Sequence, residues 1–192
     1  MGAMTRDRLH FAMPRTVPPG LWRRVPPAVF PPVLGALALA LAWLGGVAAF
    51  ALPRALAELL AGMMLAIAVF AMLAYAVKLA RRPGVLAEDL AILPGRAGVA
   101  AGVLAVYLVA ALLAALGITG AAKAVLGAGL VLHGVLLVVL VAVLRGLPPE
   151  QRRVAPAWHL SFTGPIVAAR VAVALGWPGL AWWLFWPTLV VA

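Results

Sequence analysis

The chain has 192 residues, of which 66% are hydrophobic and 10% charged. A soluble domain is about a quarter charged, so this composition excludes a single water-soluble core and fits a lipid environment. The net charge of +10 could suggest nucleic acid, but the basic residues lie in short stretches between apolar runs, the pattern that orients membrane proteins.

Residues 1–27 read as a basic N-terminal segment without the apolar core of a signal peptide, ahead of a transmembrane domain over 28–192. Six apolar runs follow, at roughly 28–52, 55–80, 97–117, 121–144, 157–176 and 179–192. Pro53-Arg54, Arg81-Arg82-Pro83-Gly84, Gly117 to Gly120, Pro148-Pro149-Glu150 and Trp177-Pro178-Gly179 punctuate them, because Gly and Pro end helices and begin turns. A span takes roughly 20 apolar residues, so the first five runs are expected to cross a bilayer. The sixth has only 14 residues before the sequence stops, with Pro187 interrupting it. The expected fold is all-α and polytopic, with about six helices arranged as three hairpins.

Orientation follows from Lys and Arg. Twelve of them, Arg6, Arg8, Arg15, Arg23, Arg24, Lys78, Arg81, Arg82, Arg96, Arg145, Arg152 and Arg153, fall on the N-terminal side, against Arg54 and Lys123 on the other. Such asymmetry places the amino terminus in the cytoplasm of a plasma (inner) membrane protein.

In the first run, Pro31 and Pro32 fit either a helix start, where the missing amide would be unpaired anyway, or a kink in a pore-lining helix. No carboxylate lies near the centre of any run, which disfavours proton coupling and cation pathways. His133 has no second ligand at metal spacing and reads as a buried, hydrogen-bonded histidine. The fifth run is broken by Gly164-Pro165, and His159, Thr163, Ile166 and Arg170 recur on one helical face. That stripe either lines a wet, anion-attracting path or leaves Arg170 to snorkel toward the outer headgroups and His159 to rest at the cytoplasmic interface beside Trp158. Trp177, Trp182, Trp183 and Trp186 read as an outer aromatic belt. Disulfides and thiol chemistry are excluded by the absence of cysteine, and no catalytic or phosphate-binding motif is present. Neither an enzyme nor a cofactor or metal is expected.

Three stretches carry a resemblance. They are Phe30-Pro31-Pro32 with Gly35 and Leu41-Ala42-Trp43, then Glu88-Asp89 to Pro94, then Pro156-Ala157-Trp158 to Gly164. In these the chain resembles the tellurite-resistance/dicarboxylate transporter family, which includes bacterial TehA, yeast malate transporters and the slow anion channels of plants. The resemblance implies a ten-helix fold of five hairpins around a pore, associated as trimers and passing small anions. It makes Pro31, Pro32, Gly164 and Pro165 kinks in pore-lining helices and puts Arg170 near the outer mouth. Leu44 stands where that family commonly has Arg, and helices seven to ten, with the gating phenylalanine of the ninth, have no counterpart. The expectation is transmembrane transport of small anions by a homo-oligomer, from an incomplete copy of that fold. The alternatives are a non-transporting membrane scaffold or assembly subunit, or a small oligomeric carrier.

Overall fold

The computed structural model describes residues 25–152 and 157–191. The first 24 residues of the basic N-terminal segment, together with Arg153 and Pro156, lie outside the described residues. Eight α-helices follow in order: α1 (Phe30–Ala49), α2 (Arg54–Arg81), α3 (Val85–Ala91), α4 (Leu93–Ala115), α5 (Thr119–Gly146), α6 (Ala157–Phe162), α7 (Pro165–Ala174) and α8 (Pro178–Val191). Short 3-10 turns at Pro27–Val29 and Pro149–Arg152 complete them, and no strand occurs among the described residues. The all-α, polytopic expectation holds.

Four helices, α1 with its preceding turn, α2, α4 and α5, are long and apolar enough to cross a membrane. The fifth run departs from expectation. Instead of one span it forms a six-residue α6 and a ten-residue α7, separated at Thr163-Gly164. The reason is local, since Pro165 has no amide proton to continue the helical ladder and its ring obstructs the preceding turn. Pro187, by contrast, does not interrupt α8, which continues through it to Val191. The 81–96 connection is not a plain loop either, because α3 forms within it and α4 begins at Leu93 rather than near 97.

Successive long helices pack as hairpins, α1 on α2, α4 on α5, and α7 on α8. Gly117 and Gly176, with φ of 80° and 78°, supply the left-handed residues that turn α4 into α5 and α7 into α8. The hub is α4, which touches α1, α5, α6, α7, α3 and α2. Its apolar window is 67% buried, against 28% or less for the other three spans.

The composition of α4 explains this place. Helices in lipid gain little from hiding apolar surface, so close van der Waals packing decides which of them associate, and small residues permit it. A Cβ on Gly98 would lie 2.5 Å from the Pro27 carbonyl oxygen, and one on Gly102 would lie 2.9 Å from Phe30 Cδ2. The start of α1 therefore seats directly on the backbone of α4. On the other side, Tyr107 of α4 presses its ring onto Gly129 of α5. By contrast, α2 and α5 expose rows of large apolar side chains such as Leu59, Met63, Phe70, Val131 and Val138.

The ends of the bundle differ in charge. At the end carrying the starts of α1 and α4, Asp89 of α3 accepts hydrogen bonds from Tyr75 Oη at 2.8 Å and Lys78 Nζ at 2.7 Å. Lys78, counted from sequence as a loop cation, is buried in the last turn of α2. Arg96 is likewise buried, in the first turn of α4, and its guanidinium donates to the Leu90 and Ala91 carbonyls that end α3. Arg82 pairs with Glu88 at 3.1 Å. The opposite end holds Arg54, paired with Glu58 at 2.7 Å, and Lys123, whose Nζ sits over the Trp177 ring.

Candidate functional site: an arginine-lined cavity beside a broken helix

The site begins with the break between α6 and α7. In an uninterrupted helix the Ser161 carbonyl would accept from the amide of residue 165, which is proline. Instead His133 of α5 places Nε2 2.7 Å from that oxygen. A carbonyl only accepts, so Nε2 bears the proton and donates, which fixes the ring as the Nε2–H tautomer. Both groups are buried, with Ser161 at 2% and His133 at 3% exposure. An orphaned carbonyl there would have no water to turn to. The expectation of a buried, hydrogen-bonded His133 is met, and its partner is the carbonyl freed by the proline.

Packing makes this contact possible. The imidazole stacks on Tyr107 with centroids 5.8 Å apart and planes 14° apart. Gly164 lets three elements converge at the break, because a Cβ there would lie 2.7 Å from Leu104 Cδ1 and 2.8 Å from His133 Cε1. The glycine is required by this close approach, and its own φ of −50° is ordinary.

Beyond the break, α7 runs along a half-open cavity of about 1260 Å³ lined by α1, α4, α7, α8 and the first residue of α2. Leu41, Leu44, Leu108, Ala111, Ile166, Val167, Trp182 and Phe185 form much of the wall. Among the described residues two cations, Arg54 and Arg170, also line it, and no carboxylate does. Arg54 is neutralised by Glu58. Arg170 is exposed and has neither ion pair nor hydrogen bond among the described residues.

The cavity occupies only one half of the bundle. Its lining extends no further toward the Lys78–Asp89 end than Leu41 on α1, Leu108 on α4 and Ile166 on α7. Past that depth α1 buries Leu37, Val33 and, seated on Gly102, Phe30.

The residues singled out from sequence separate accordingly. Arg170 lines the cavity, with Ile166 one turn before it. His159 and Thr163 do not, because the break ends the stripe that a continuous helix would have made. His159 is exposed on α6, and Thr163 spends its hydroxyl on the His159 carbonyl. Gly164 and Pro165 form the break itself. Pro31 and Pro32 are exposed in the first turn of α1, away from the cavity. Arg54 was missed as a lining residue, since its position at the start of α2 read only as a loop cation. The Tyr75–Lys78–Asp89 cluster was missed as well, although Tyr75 and Lys78 at i, i+3 share a helical face and could have signalled it.

No protein-family profile, curated protein or solved structure matches the chain. The fold and the apolar spans define its class, a polytopic all-α membrane protein.

Proposed function

We propose that the chain moves small anions across the membrane, with its amino terminus in the cytoplasm and the cavity facing the opposite side. The observation that carries this reading is Arg170, a cation that has no partner, on the wall of a cavity that no carboxylate lines, both among the described residues. An ionised side chain inside a membrane protein is expensive and marks a functional site by default. A positive potential in a low-dielectric cleft raises the local concentration of anions. Loop charge supports the orientation, because Lys78, Arg81, Arg82, Arg96, Arg145 and Arg152 lie toward the end away from the cavity. The resemblance to the tellurite-resistance/dicarboxylate transporters supports the substrate sign, and it carries with it a homo-oligomer, a trimer in that family.

Transport then requires the α1–α4 seam to part, since the buried side chains of Leu37, Val33 and Phe30 lie on α1 between the cavity and the basic end. In liposomes containing purified protein, flux of a small anion, tested with chloride, nitrate and benzoate, is expected to fall at least about fivefold in Arg170→Ala, from the loss of a charged hydrogen-bond donor. Phe30→Ala, which loosens the seam where the ring sits on Gly102, is expected to raise it. Flux of all three anions equal to protein-free liposomes, for both wild type and Phe30→Ala, would reject transport. That result would favour the second reading, a non-transporting membrane scaffold, for which the blind end of the cavity is the supporting observation.

A further inference from the structure

The walls of the cavity narrow the kind of anion it suits. Apart from the two guanidiniums, the only other side-chain donor on its lining among the described residues is the indole N–H of Trp182. The remaining lining is aliphatic or aromatic. A strongly hydrated ion entering such a space loses water contacts that these walls do not replace. A second charge would be worse served, because Arg54 already pairs with Glu58, which leaves Arg170 as the one cation on the wall with no partner among the described residues. The volume of about 1260 Å³ also exceeds the roughly 300–1,000 Å³ typical of clefts that hold drug-sized molecules.

Depth adds to this. Arg170 lies four residues, roughly one helical turn, before the end of α7 at Ala174, and the apolar wall extends past it along the bundle to Leu41, Leu108 and Ile166. A ligand with a charged head and an apolar body matches that sequence of surfaces.

We propose that this cavity binds organic monoanions, carboxylates or sulfonates with an aromatic or aliphatic body. The head engages the Arg170 guanidinium, which suits bidentate recognition of a planar or trigonal oxyanion. The body packs on Leu44, Leu108 and Trp182. The proposal rests on the anion reading above and narrows its substrate class, selecting against dicarboxylates and against small inorganic ions.

The test uses 4-(trifluoromethyl)benzenesulfonate, which stays charged at all working pH values, observed by fluorine NMR on the full chain in nanodiscs, with empty nanodiscs as background. Saturable binding is expected, weakened about tenfold or more in Arg170→Gln, equivalent to about 1.4 kcal/mol. Arg170→Lys should retain part of it. Ala111→Trp, which fills the cavity and keeps the charge, should abolish it. The uncharged sulfonamide analogue and succinate should compete at least tenfold more weakly than benzenesulfonate. Competition by succinate or chloride as strong as by benzenesulfonate overturns the proposal while leaving the anion reading intact. Equal binding of the sulfonamide overturns it too, as does binding seen in detergent but blocked by phospholipid, which would make the cavity a lipid site. Arg170-dependent sulfonate binding without flux of any anion would uphold the proposal and reject transport.

Discussion

His133 and Pro165 form a pair across two helices, although neither touches the other through a side-chain hydrogen bond. The proline deletes the amide that Ser161 would use, and the histidine supplies a donor in its place at 2.7 Å. The two substitutions should therefore be coupled. His133→Phe keeps the stacked ring but strands the carbonyl, which should cost about 1–3 kcal/mol of stability. With Pro165→Ala in place, the restored amide can serve Ser161, and the same change should cost about 1 kcal/mol less. Equilibrium unfolding in bicelles of the wild type, both single variants and the double variant gives the coupling. An identical cost of His133→Phe in both backgrounds would show that the donor is irrelevant to the break.

At the level of elements, the less obvious contribution is α3. This seven-residue helix lies between α2 and α4, too short to hold itself together by backbone hydrogen bonds alone. Side chains from both neighbours fix it, with Tyr75 and Lys78 of α2 bonded to Asp89 and Arg96 of α4 bonded to its terminal carbonyls. The Lys78 and Asp89 side chains are only 7% and 14% exposed, so solvent does little to screen them. Removing one charge of a buried pair leaves the other uncompensated, at about 3–5 kcal/mol. Asp89→Asn should destabilise the protein by an amount of that order, and adding Lys78→Met should restore most of it. Unchanged thermal stability of Asp89→Asn would mean that the pair contributes nothing. The apolar runs bounding α3 were legible from sequence, but α3 itself was not. Its anchoring depends on partners from two other helices, which local pattern does not reveal.

For the whole molecule, the segregation of charge makes a topological prediction. Because the chain contains no cysteine, any introduced one is a unique reporter. Ile118, half-exposed between α4 and α5 at the cavity end, and Glu150, exposed in the 3-10 turn after α5, mark opposite ends. In intact cells Ile118→Cys should react with a membrane-impermeant maleimide, and Glu150→Cys only after permeabilisation. The reverse pattern would overturn the proposed orientation.

What the sequence determined alone is what depends on one-dimensional order. Runs of apolar residues gave the helices, and Gly-Pro gave the break in the fifth run, because backbone hydrogen bonding and proline chemistry act within a few residues. The same locality explains the misreading of the stripe from His159 to Arg170, whose spacing assumed a continuous helix across a proline. Tertiary structure alone decided which cations are spent and which are available. Arg54, Lys78, Arg96 and Arg170 are equally charged in sequence, yet Glu58, Asp89 and the α3 carbonyls occupy the first three. Only Arg170 of these is left facing an apolar cavity without such a partner among the described residues, because neutralisation depends on a neighbour within a few ångströms and distant parts of the chain supply that neighbour only after folding.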